Sequence, residues 1–271
     1  MKIAIIGCGY IGKNLIKKWV NKDHTITAIT KDPKIVDELK NSVQKTLLFK
    51  NGNTEEFKNV LEENDKIILT ITNNAYFGSE NAFLKTANAI KESALRTGHP
   101  KTLIYTSRAD VYGEQSGRWV DESSSLNPST DLAKILIDTE NILISLKELG
   151  WKVCVLRLAE VYGPNYEISQ KIKSHSDYFA PRFDYNYTNM IHLDDILSAI
   201  DYVLTHNLSG IYNLADNDHT PLKELITSLT SKQEIEWQED KIQINRGNRR
   251  VSNNKIKAAG YNFIHPNRLI F

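Results

Sequence analysis

Gly7, Gly9 and Gly12 stand in the run Lys2-Ile3-Ala4-Ile5-Ile6-Gly7-Cys8-Gly9-Tyr10-Ile11-Gly12, directly after a short apolar segment and at the head of an amphipathic one. A G-x-G-x-x-G in that place narrows the choice of fold sharply, because each glycine meets a separate demand. Gly7 makes a tight turn, Gly9 lets the backbone approach a pyrophosphate, and Gly12 lets the helix pack closely on the strand. Leu15 and Trp19 continue an apolar helical stripe from Ile11. The amino end of such a helix offers free amides and a favourable dipole to phosphate. The sequence therefore predicts a dinucleotide-binding loop made of Gly7, Cys8, Gly9, Tyr10, Ile11 and Gly12.

The first half of the chain repeats this alternation of short β-rich runs and helical patterns, the sequence form of stacked β-α-β units. Strands are expected at Lys2 to Ile6, Thr25 to Thr30, Thr46 to Phe49, Lys66 to Thr72, Thr102 to Ser107 and Lys152 to Leu158. Asp32-Pro33 is a good helix start, with Asp as N-cap and Pro at the first helical position. Further helices are expected from near Glu55, over about Ser79 to Thr97, and over about Ser129 to Leu149. The expected fold is α/β, a Rossmann doubly wound parallel sheet over residues 1–160. A small C-terminal substrate-side region over 161–271 follows, whose helix near 194–206 and strand near 211–214 are expected to pack back on the first domain.

Composition removes several function classes. With 34 basic and 33 acidic residues the net charge is +1, so no global field marks nucleic acid or an anionic membrane as partner. Cys8 and Cys154 are too few and too differently placed for a disulfide framework, which predicts a reduced, cytoplasmic protein. No stretch approaches transmembrane length, and the apolar opening is too brief for a signal-peptide core. The expected partner is a small molecule; a homo-oligomer is compatible with the sequence.

The end of the second strand bears on which dinucleotide is bound. NAD sites place an acid there for the ribose hydroxyls, whereas NADP sites place a cation or hydroxyl for the extra phosphate. The segment reads Thr30-Lys31-Asp32-Pro33. Thr30 and Lys31 suit a phosphate and Asp32 suits a helix cap, so NADP is expected over NAD; the competing reading makes Asp32 the ribose acid. Thr70 and Thr72 at the end of the fourth strand, with Ser107 at the end of the fifth, complete the expected cofactor contacts.

The glycine loop, Tyr105-Thr106-Ser107, Val111-Tyr112-Gly113, Leu156-Arg157-Leu158, Val161-Tyr162-Gly163-Pro164, Ile191-His192-Leu193-Asp194-Asp195 and Ile211-Tyr212-Asn213-Leu214 follow one another in a familiar order. Together they resemble the extended and atypical short-chain dehydrogenase/reductase superfamily, in its nucleotide-sugar epimerase/dehydratase branch. The resemblance implies an NAD(P)-binding Rossmann domain and a C-terminal portion serving a substrate, commonly a sugar on a nucleoside diphosphate. It also implies a Tyr with a Lys four residues later, and a Ser or Thr four residues before the tyrosine of V-Y-G, which together handle the proton during hydride movement.

This chain departs from that pattern twice. No tyrosine lies between Tyr112 and Tyr162, and the nearest counterpart of Tyr-x-x-x-Lys is Thr130-Asp131-Leu132-Ala133-Lys134. Arg108 stands four residues before Tyr112, with the hydroxyl one position earlier at Ser107. A threonine does not replace a phenol as an acid, and arginine only donates. The candidate catalytic residues are therefore Ser107, Tyr112 and Lys134. The bland alternatives are a strand-end cap, a packed loop tyrosine and a solvated helical lysine. Arg108 is a candidate substrate-anion anchor or an ion-pair partner of Asp110, Glu114 or Asp121. Arg249 and Arg250, following Arg246, resemble the family segment that holds a diphosphate, or form an ordinary soluble surface. His192 reads as a packing residue, since no second histidine or cysteine sits at ligand spacing, and no metal site is expected. Two functions follow: an NAD(P)-dependent oxidoreductase or epimerase acting on a nucleotide sugar or related carbonyl or polyol, and a non-catalytic NADP-binding sensor or partner protein.

Overall fold

The computed structural model describes residues 1–49, 54–71, 81–168, 186–233 and 247–268. Strands β1 (Lys2–Ile6), β2 (Thr25–Thr30), β3 (Lys45–Leu48), β4 (Lys66–Leu69) and β5 (Thr102–Arg108) alternate with helices α1 (Tyr10–Trp19), α2 (Pro33–Leu39), α3 (Thr54–Glu63) and α4 (Asn81–Thr97). The short β6 (Trp119–Val120) precedes α5 (Asp131–Ile144), and β7 (Lys152–Leu158), β8 (Glu160–Tyr162), β9 (Met190–His192), β10 (Gly210–Leu214) and β11 (Arg250–Val251) follow. Helices also span Leu193–His206, Leu222–Gln233 and Asn254–Ala258. Among the described residues no helix is long and apolar enough to cross a membrane.

Seven strands form one sheet in the order β10-β7-β5-β4-β1-β2-β3. The parallel pairs β1–β2, β1–β4, β2–β3 and β4–β5 are in register along their lengths. Strands covered on both faces read as continuous apolar runs, and four of the five residues of β1 are buried. The chain steps outward from β1 to β2 and β3 on one side and to β4 and β5 on the other. That reversal makes a topological switch point, outside whose carboxyl strand ends ligands bind in open α/β sheets.

The chain forms two compact units, and it passes repeatedly from one to the other. The first comprises Met1–Ser107, Ile135–Leu156 and Ile200–Ile211; the second comprises Arg108–Lys134, Arg157–Ala199 and Tyr212–Phe271. Ile6, Ile29, Phe57, Leu61, Leu69 and Ile90 belong to the buried cluster of the first unit. In the second, Tyr162, Met190, Leu222, Leu225 and Leu229 cluster, and the two-stranded parallel pairs β6–β11 and β8–β9 add order that no sequence pattern announced.

Two expected boundaries moved by three residues or more, for local reasons. The fourth strand stops at Leu69 rather than Thr72, because its partner β1 ends at Ile6 where Gly7 turns the chain away. The helix expected to reach Leu149 ends at Ile144 and tightens into a 3-10 turn over Ser145–Leu149, closed by Gly150 at φ 79°. Thr72, Arg246 and the stretch Glu234 to Trp237 lie outside the described residues.

Candidate functional site

The glycine turn of the first unit is held from three sides. Gly7 adopts φ +93°, its amide donates to Ile29 O at 2.9 Å, and its carbonyl accepts from Gly9 N at 2.9 Å and Thr70 Oγ1 at 2.6 Å. A Cβ on Gly7 would lie 2.8 Å from the Thr70 carbonyl carbon and oxygen, and one on Gly12 would lie 2.6 Å from Gly7 O. Any side chain at either position would thus meet backbone, which cannot swing aside. Helix α1 starts here with Gly9 as N-cap, no side-chain cap and no acid in its first turn. An uncapped helix start without a carboxylate suits an anion.

Of the other predicted cofactor residues, Cys8 is buried with its Sγ 3.6 Å from Ile5 O, and burial pushes its thiol up to about 12. Thr70 is buried and braces Gly7. Thr30 Oγ1 accepts from the Asp32 amide at 3.2 Å, and Lys31 is exposed. Asp32 caps α2, accepting from the Lys34 amide at 2.9 Å.

Ser107 is fully buried near the end of β5 and donates to Glu140 Oε1 at 2.5 Å; Glu140 is 2% exposed. The sequence reading did not single out Glu140. The available signal was spacing, because Leu136, Glu140 and Leu143 fall on one helical stripe and the other two are apolar. Ser107→Ala strips a buried carboxyl of one donor. It is expected to lower stability by about 1–3 kcal/mol, measured by urea denaturation; an unchanged midpoint would mean the bond carries nothing.

In the second unit Tyr112 is fully buried. Its hydroxyl donates to Asn213 Oδ1 at 2.8 Å and its ring lies 4.9 Å from the Arg157 guanidinium. Burial raises the phenol above its ordinary value, against the pull of Arg157. Lys134 is exposed and pairs with Asp131 at 2.8 Å. Thr130, the residue nearest in sequence to the expected Tyr-x-x-x-Lys pattern, accepts the Ala133 amide on Oγ1 at 3.1 Å, as a helix cap does.

The three predicted substrate arginines all have partners in this unit. Arg108 pairs with Asp110 at 2.7 Å, its side chain 32% exposed. Arg249 is buried, bonded to Asp110 Oδ1 at 3.1 Å and to the carbonyls of Gly113 and Gly247 at 3.1 and 3.3 Å. Arg250 donates to Gly117 O at 2.9 Å and lies 5.1 and 4.7 Å from the Trp119 and Tyr187 ring centres. Asp110 thus joins Arg108 and Arg249. His192 packs its ring edge-on to Tyr162, and the fold brings a second histidine, His265, beside it with ring centres 4.0 Å apart.

A family model described as the NAD dependent epimerase/dehydratase family matches residues 3–215. No curated protein sequence matches the chain. Among solved structures, a dTDP-glucose 4,6-dehydratase from Bacillus anthracis in complex with NAD is similar at TM-score 0.80 and 18% identity, over 98% of this chain and 92% of that one. A UDP-glucose 4-epimerase from Thermus thermophilus complexed with NAD is similar at TM-score 0.77 and 16% identity, over 97% and 94%. A UDP-glucose 4-epimerase from Thermotoga maritima with UDP-glucose gives TM-score 0.75 and 16% identity, over 97% and 94%. At these identities the likeness establishes the fold.

Proposed function

The chain belongs to the NAD dependent epimerase/dehydratase family, and from that membership we propose that it binds a nicotinamide dinucleotide at the Gly7–Gly12 turn and acts on a nucleoside-diphosphate sugar or a related polyol or carbonyl compound. The observation that carries the proposal is the turn itself: two glycines whose Cβ atoms would strike backbone, ahead of an uncapped helix start free of acids. When bound, the nicotinamide supplies a hydride acceptor and donor. The protein's part is to hold the pyrophosphate on the first amides of α1 and the ribose at the end of β2.

NADP is the preferred form in this proposal. The Asp32 carboxylate already serves the Lys34 amide, while the exposed Lys31 ammonium is available to a 2′-phosphate. Arg108, partly exposed, is the arginine assigned to a substrate anion; Arg249 ties Gly113 and Gly247 together. Ser107 and Tyr112 enter the chemistry only if their buried hydroxyls leave Glu140 and Asn213. Cys8 and Cys154 are buried thiols outside any disulfide, which supports a reducing, cytoplasmic setting.

Titration with NADPH and NADH, followed by tryptophan fluorescence, tests the site. Lys31→Ala is expected to weaken NADPH about tenfold, the worth of one charge-assisted contact, and to leave NADH unchanged. Equal loss for both would remove the NADP preference, and failure of the wild type to bind either would remove the site. A second reading, a dinucleotide-binding sensor without turnover, is favoured by one observation: Thr130, the residue nearest in sequence to the related pattern's proton-transferring phenol, caps a helix. Stereospecific exchange of label between nicotinamide and a sugar nucleotide would exclude the sensor; tight binding with no exchange across a broad panel would favour it.

A further inference from the structure

His192, Asp194 and His265 converge in the second unit, with one ligand atom from each lying within 4.8 Å of the others. His192 ends β9, Asp194 lies in the first turn of the helix Leu193–His206, and His265 arrives from a segment beyond the helix Asn254–Ala258. We propose that these three side chains form a binding site for a divalent transition-metal ion of the zinc class. The glycine turn and the proposed cofactor play no part in this site.

Three observations support it. The first is spacing. Zinc bonds of 2.0–2.1 Å in tetrahedral array put neighbouring ligand atoms about 3.3 Å apart. Here Asp194 Oδ2 lies 3.0 Å from His265 Nε2 and 3.5 Å from His192 Nδ1, and the two histidines offer nitrogens within 4.8 Å of each other, so they would draw together around an ion.

The second is that the ligands are held from behind. The fully buried Asp195 accepts the Ile264 amide at 2.6 Å and the His265 amide at 3.0 Å, which fixes the backbone carrying His265. The Tyr261 hydroxyl donates to the Asp195 carbonyl at 2.9 Å, and the Tyr162 ring packs 5.1 Å from His192. Such support is what a metal site needs to keep its ligands oriented.

The third is chemistry and access. His192 Nδ1 accepts the Asp194 amide at 3.1 Å, so it carries no proton, and an ion taking up that lone pair would displace the amide. Two imidazoles with one carboxylate suit zinc, cobalt or nickel, whereas magnesium and calcium prefer oxygen ligands. The Asp194 side chain is half exposed and that of His265 is 21% exposed, which leaves an approach from solvent. Bound there, the ion would pin the segment around His265 to β9 and the helix that follows it.

The full chain, stripped with EDTA and dialysed against zinc, is expected to retain one equivalent that the His265→Ala and Asp194→Ala variants lose. At a hundredfold excess over its dissociation constant, zinc should raise the wild-type melting midpoint by roughly 5–10 °C. It should leave the midpoint of either variant unmoved. Cobalt in place of zinc should give visible absorption in the wild type alone. His265→Gln, closer in size, serves if the alanine variants fail to fold. No stoichiometric zinc in the wild type overturns the proposal, and so does an equivalent retained by folded variants, which would place the ion on other histidines.

Discussion

Gly113→Ala is expected to unfold the second unit or abolish soluble expression. Gly113 closes the 3-10 turn Ala109–Tyr112 at φ 59° and ψ −141°, a region open essentially to glycine. A Cβ there would lie 1.5 Å from Asn127 O and 2.5 Å from its carbonyl carbon. These are backbone atoms of a bridge partner, so no rotamer relieves the overlap. The crowding has a second side, because a Cβ on Gly247 would lie 2.2 Å from the Gly113 carbonyl. The expected loss exceeds about 4 kcal/mol, the exceptional end of single substitutions. Gly98→Ala is the internal control: φ is +66° but nothing lies within 4 Å, so only the left-handed penalty of about 1–2 kcal/mol should appear. Soluble yield and urea midpoints compare the two, and equal losses would show that the clash is relieved elsewhere.

Arg268→Met is expected to cost about 3–5 kcal/mol, the usual consequence of leaving one partner of a buried pair alone. The Arg268 and Asp216 side chains are 1% and 0% exposed, and Nε and Nη2 each donate to one Asp216 oxygen at 3.1 Å. Nη1 donates to Thr188 Oγ1 at 2.6 Å. Adding Asp216→Asn should recover part of the loss, since the stranded charge is then gone.

The same variant carries a pH signature. Burial pushes the Asp216 carboxyl up to about 6, against the pull of Arg268; removing Arg268 lets it climb further. The folded chain then keeps a proton that the unfolded chain, titrating near 3.9, has released. Stability therefore falls as pH rises through that window. The deficit of Arg268→Met relative to wild type should be larger at pH 8 than at pH 5 in urea denaturation. A deficit equal at both would mean that the carboxyl is not the source of the loss.

What could be read in the sequence was local. β1, β2 and β7 fell where their β-rich runs lie, because strands covered on both faces are written in buried β-branched and apolar residues. Asp32-Pro33 announced its helix through a cap that acts over two residues. The partners of the candidate residues were not local. Glu140 lies 33 positions from Ser107, Arg249 lies 139 from Asp110 and His265 lies 71 from Asp194, and no periodicity spans such gaps. Thr130 shows the difference at one residue: that it carries no phenol was plain in the sequence, while its work as a cap follows from where α5 begins.

The interleaving of the two units sets an order on biosynthesis. The first unit includes residues 200–211, and β10, which they begin, is an edge strand of the seven-stranded sheet. A nascent chain therefore cannot complete that unit until residue 211 has left the ribosome. Residues 108–134 and 157–199 of the second have by then emerged as well. Chains usually gain a finished amino-terminal domain before the next is made; here the edge of β7 has no strand to pair with until β10 has been synthesised.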